Sequence, residues 1–108
     1  MGLVVSPVVK GQEEAWKKWT LSLKGEKKKE FDDFNKRYGL IRHDVWAVET
    51  PNGLLGVILH EGPGADKFMS EVVTSKHPFD LEMGKVLQVF HGMDMTKPPA
   101  GPMPVKLI

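Results

Sequence analysis

Asp44–Glu61, DVWAVETPNGLLGVILHE, decides how this chain folds. Val45-Trp46-Ala47-Val48 and Leu54–Leu59 are apolar runs rich in β-branched and aromatic residues, which pack well on a pleated surface. Between them stands Pro51-Asn52-Gly53. Proline pre-sets the backbone at the first turn position, and asparagine and glycine accept positive φ, so the chain reverses there at little cost. The stretch predicts a β-hairpin. Side chains alternate along a strand, which places Leu55, Val57 and Leu59 on one face and Leu54, Gly56, Ile58 and His60 on the other. Both faces are largely apolar, and such a sheet needs two covers. Helices supply one. With 108 residues, the chain is expected to borrow the other from a second subunit.

Outward from the hairpin, Leu3–Val9 reads as a first strand. Pro7 lacks a backbone donor and so belongs at an edge or a bulge. Gly11 breaks the strand, and Gln12-Glu13-Glu14 open a helix with acids at its positive end. Trp16, Trp19 and Leu23 recur at helical spacing, Gly25 interrupts, and a second helical piece carries Phe31, Phe34 and Tyr38 before stopping at Gly39. Beyond the hairpin, Glu61-Gly62-Pro63-Gly64 is a loop. Ala65, Phe68, Met69, Val72 and Val73 form an apolar helical stripe. His77-Pro78 starts a further helix, because proline suits the first turn. Its buried face is Phe79, Met83, Val86, Leu87 and Phe90, and His91-Gly92 closes it. Residues 93–104 are proline-rich and expected to be extended, and Val105–Ile108 to form a short last strand. The order is βαββαβ, a ferredoxin-like α+β plan in one domain spanning residues 1–108, with an antiparallel sheet and broken helices on one face.

Composition narrows the function classes. Hydrophobic residues are 41% and charged residues 27%, a globular mix. There is no cysteine, which excludes disulfides, thiolate metal sites and a cysteine nucleophile, and suits a reducing, cytoplasmic setting. No apolar run is long enough to span a membrane. The net charge of +1 argues against a general nucleic-acid binder, although residues 10–42 hold ten Lys or Arg against six acids. GxxxxGK[ST], strand-linked GxGxxG, HxH, HxxxH and HExxH are all absent, so neither a nucleotide loop nor a metal site is expected.

Six features together resemble a family of small bacterial proteins of the dimeric α+β barrel superfamily. They are the broken helix with Trp16 and Trp19, the Val45-Trp46 strand, the Pro51-Asn52-Gly53 turn, His77-Pro78-Phe79-Asp80, His91-Gly92-Met93-Asp94, and Pro98-Pro99-Ala100-Gly101-Pro102. The resemblance covers nearly the whole chain. It implies a homodimer in which two sheets pack face to face, with a pocket between each sheet and its own helices. The family has no settled activity to carry over. In architecture alone the chain is similar to cofactor-independent monooxygenases, haem-degrading monooxygenases, chlorite dismutases and small polyketide cyclases, and inference from such likeness is analogy.

The candidate chemistry rests on histidine, the side chain that titrates near neutrality. His60 ends a strand on the Ile58 face, with Trp46 expected nearby across the turn, and is a candidate base or haem ligand at a pocket mouth, against the plainer reading of a polar strand end before a loop. His91 and Asp94 bracket a glycine, so the carboxylate could orient the imidazole as a base. The competing reading of His91 is a cation complementing the helix dipole. His43 and Asp44 read as a solvent-exposed, silent pair. His77 and Asp80 read as a helix start. Trp16, Trp19, Tyr38 and Trp46 are the candidate lining of a pocket for a flat aromatic ligand, against the plainer reading of a core stripe. Lys27-Lys28-Lys29 reads as a solvated helix face. The sequence therefore leaves three functions open. The first is a small-molecule protein, if an enzyme then a cofactor-free monooxygenase or cyclase. The second is a non-catalytic dimeric binding module. The third is a haem-binding protein. Nucleic-acid and membrane partners are not expected.

Overall fold

The computed structural model describes residues 1–92 and 104–108. The elements run β1 (Gly2–Pro7), α1 (Glu13–Ser22), α2 (Lys28–Arg37), β2 (Arg42–Thr50), β3 (Gly53–Glu61), α3 (Phe68–Val72) and α4 (Pro78–His91). The three strands form an antiparallel sheet in the order β1-β3-β2. This α+β arrangement is compatible with a ferredoxin-like plan.

The hairpin forms as the turn chemistry dictates. Thr50 and Gly53 are the last paired residues, and Gly53 takes φ +125°, a conformation that costs glycine little. Thr50 Oγ1 donates to Gly53 O at 2.7 Å and accepts from Asn52 N at 3.2 Å, pinning the two-residue connection. That turn fixes the register of every later pair. Val45 lies opposite Ile58, Trp46 opposite Val57, and His43 opposite His60. Pro7 closes β1, an edge strand among the described residues, so its missing donor breaks no ladder bond there.

The helices start and stop for local reasons. His77 is extended (ψ 135°), its Nδ1 accepts from Phe79 N, and Pro78 occupies the first turn of α4. Gly92 closes α4 in the left-handed conformation. The stripe expected to carry a helix from Ala65 to Val73 is helical only over Phe68–Val72, because turns at Gly62 and Gly64 occupy the preceding residues. Phe34, fully buried, lies at the centre of one core cluster with Leu23, Leu40, Phe68, Phe79 and Met83. Val8, Trp16, Leu54 and Phe90 form a second.

One expected element does not form. Val105–Ile108 has no regular structure, and Val105, Leu107 and Ile108 are exposed. A four-residue segment has too few ladder bonds and too little apolar contact to hold itself against a sheet. The extended proline-rich segment falls mostly on residues 93–103, outside the described residues.

Alternation divides the sheet as the sequence implies. His43, Val45, Leu54, Ile58, His60, Val4 and Ser6 face the helices. Leu3, Val5, Trp46, Val48, Leu55, Val57 and Leu59 share the opposite face, over which no described element packs. Val5 (46%), Trp46 (45%) and Val48 (41%) are accordingly exposed. No helix among the described residues is long and apolar enough to cross a membrane.

Candidate functional site

A cavity of about 110 Å³ lies between the sheet and the helices. Its walls are mostly apolar, with Phe31, Phe34, Phe68, Met69, Met83 and Phe90 prominent. Trp16 and Trp19 reach it from α1 because they stand three residues apart on one helical face. Gly56 makes room at the β3 floor. A Cβ there would sit 3.0 Å from Trp16 Cζ2 and 3.3 Å from His91 Cε1, so only glycine lets both rings lie over the strand.

The polar end is made by two histidines. His43 of β2 and His60 of β3 are cross-strand partners whose rings meet edge to face at 4.5 Å. His60 is only 3% exposed and also touches Phe68. Burial pushes its pKa down to about 4. His43 packs on Phe31 at 4.8 Å, and its Nδ1 lies 2.8 Å from Asn35 Oδ1. An oxygen there is an acceptor, so Nδ1 carries the proton and Nε2 keeps its lone pair. Burial and the neighbouring His60 push the His43 pKa down to about 3, against a smaller upward pull from Asp44. Both rings are therefore neutral at pH 7.

His91 lines the same cavity at the other end. Its Nδ1 donates to the Pro7 carbonyl at 2.9 Å, and Trp16 packs on its ring at 6.0 Å. Burial lowers its pKa, and the Pro7 hydrogen bond opposes that only in part. His91 is thus a neutral link between α4 and β1, not the cation expected at a helix terminus. Asp94, its expected partner, lies outside the described residues.

Two of the four aromatic residues expected to line a pocket do not line this cavity. Trp46 is opposite Val57, on the uncovered face, because strand alternation separates it from Val45 and His43. Tyr38 turns its hydroxyl to Asp80 Oδ2 at 2.5 Å and packs on Phe34 and Phe68. It belongs to a polar clasp. The Asp80 carboxylate, its side chain 1% exposed, accepts from Arg37 at 2.7 and 3.0 Å, from Tyr38, and from Ser75 Oγ at 2.6 Å. Burial alone would raise the Asp80 pKa; the three donors and the Arg37 charge outweigh it together and hold the group at about 2. Asp80 therefore does more than favour a helix start: it ties α4 to α2.

His43 is the residue the sequence reading missed. Its place beside Asp44 suggested an exposed pair, but Asp44 turns outward to Arg42 at 2.5 Å while His43 turns inward. The signal was present in the turn. His43 lies seven residues before Thr50 and His60 seven after Gly53, so a two-residue connection makes them neighbours.

A second space, an open groove of about 510 Å³, runs along the outer edge of β2. It shares Thr20, Leu23, Phe31, His43 and Val45 with the cavity, and Trp46 borders it from outside. Phe31 and His43 are thus part of the wall common to both spaces. Among the described residues, no group of three or more His, Cys, Asp or Glu could hold a metal ion. No family model, curated protein or solved structure matches the chain.

Proposed function

We propose that the protein binds a small apolar or aromatic molecule between its sheet and its helices, and that it does so as a homodimer joined through the uncovered sheet face. The observation that supports binding most is the cavity itself: apolar walls converge on the His43 and His60 imidazoles, whose nitrogens can pair with a ligand hydroxyl, carbonyl or ring N–H. The homodimer reading rests on Leu3, Val5, Trp46, Val48, Leu55, Val57 and Leu59, an apolar surface of a kind that monomers rarely leave open.

Binding is better supported than general-base catalysis. A base works best with a pKa near the operating pH, and rings held at about 3 and about 4 are weak acceptors at neutrality. A cofactor-free monooxygenase or cyclase would need the ligand itself to raise those values. Haem ligation has less support, because the cavity of about 110 Å³ is well below the ~300 Å³ at which ligand pockets begin. A single aromatic ring is the most it suits: an apolar cavity that holds benzene measures about 150 Å³, somewhat more than this one.

The test is a titration of phenol, indole and toluene, followed by the fluorescence of Trp16 and Trp19 in a Trp46→Phe background. Saturable quenching by phenol and indole, tighter than by toluene and weakened in His60→Leu, is the expected result. No response to any of the three would end the binding proposal. Light scattering tests the dimer, and a monomer at micromolar concentration would end that part.

A further inference from the structure

We infer that the ligand of this cavity is an amphipathic monoanion, an aryl- or alkyl-carboxylate whose apolar end enters the cavity while its carboxylate stays in the β2 groove beside Lys24. The inference rests on the binding proposal and names the class of ligand. The cavity cannot hold much more than one ring, and the groove that shares five of its residues is several times larger. Parting that shared wall would let a longer ligand occupy both, with its far end in the groove.

Charge decides what that far end is. Inside, His43 and His60 are neutral and Asp80 is an anion, so a carboxylate would lose water there without gaining a cation. The groove is lined by Lys24, Lys28, Asp32 and Asp44. Asp32 is neutralised by Lys28 at 2.5 Å and Asp44 by Arg42 at 2.5 Å. Arg42 also reaches Glu61 at 3.7 Å, so the groove carries no net charge, but Lys24 makes no ion pair among the described residues and is the groove cation left to meet an anion. Its exposure makes the attraction modest and sensitive to salt.

The experiment compares 4-phenylbutyrate with 4-phenyl-1-butanol, which share ring and chain and differ in charge, by titration calorimetry at low ionic strength. The expected result is roughly two- to fivefold tighter binding of the carboxylate, the range of an exposed ion pair. Lys24→Gln should erase that preference, and Lys24→Glu should reverse it. The alcohol should bind alike in all three proteins, and Lys67→Gln should change nothing. Equal binding of the two compounds by the parent protein overturns this inference while leaving the cavity reading intact, as does a preference that survives Lys24→Glu. Failure of both compounds to bind overturns the two together.

Discussion

His43 and His60 face each other across β2 and β3, rings 4.5 Å apart, buried and uncharged. This pair makes the fold sensitive to acid. Both folded pKa values lie below the ordinary histidine value of 6.5, so between pH 6.5 and about 3 the unfolded chain binds protons that the native rings refuse. Their neutral burial is without penalty above pH 6.5. Stability falls as pH drops through about 4 for His60 and about 3 for His43. For His60 the total loss is on the order of 3 kcal/mol. Urea unfolding at pH 7.5 and pH 4.5 should show a clearly lower midpoint at the acid pH, with a smaller difference in His60→Leu. Equal midpoints in the parent protein would contradict the buried pair.

Asp80 acts in a different window. Its carboxylate is held at about 2, so what it contributes is intact above about pH 3.8 and disappears as pH falls through 2. At neutral pH, Asp80→Ala leaves Arg37, Tyr38 and Ser75 without their shared acceptor. A destabilisation of about 3 kcal/mol is expected in urea, against about 1 kcal/mol for Tyr38→Phe. Tyr38→Phe should bind phenol as the parent does, because Tyr38 does not line the cavity.

Gly56 is a packing requirement at the cavity floor. Gly56→Val places methyl groups where Trp16 and His91 now lie, beyond the 3.0 and 3.3 Å already reached by a bare Cβ. Loss of about 1–3 kcal/mol is expected, with a shift in tryptophan emission as Trp16 moves. Unchanged stability together with unchanged emission would show that the floor yields more easily than its geometry indicates.

The uncovered sheet face gives a prediction about assembly. Val57 is on the central strand of that face, next to Trp46. Val57→Lys should turn a dimer into a monomer by light scattering while keeping the far-ultraviolet circular dichroism, since the lysine points away from the helices and the cavity. A dimer that survives this change would place the interface elsewhere.

Some of this was decided locally. The Pro51-Asn52-Gly53 turn, the alternation in Leu54–Leu59, the His77-Pro78 helix start and the Gly92 stop are each set by backbone preferences within a few residues, so the sequence alone determined the hairpin, the two apolar faces and the limits of α4. The place of His60 on the face of Ile58 also followed; its burial did not, and came with the helices that cover that face. Tertiary structure decided the rest, because those outcomes depend on contacts between residues far apart in the chain. Asp80 became a buried anion only when α2 brought Arg37 and Tyr38 to it. His91 lost its charge because burial beside Trp16 outweighs its hydrogen bond to the Pro7 carbonyl. Trp46 and Tyr38 left the candidate pocket for opposite reasons: strand parity turned one outward, and a carboxylate drew the other aside. Val105–Ile108 has the composition of a strand but no strand forms there, since pairing needs a neighbour that composition cannot supply.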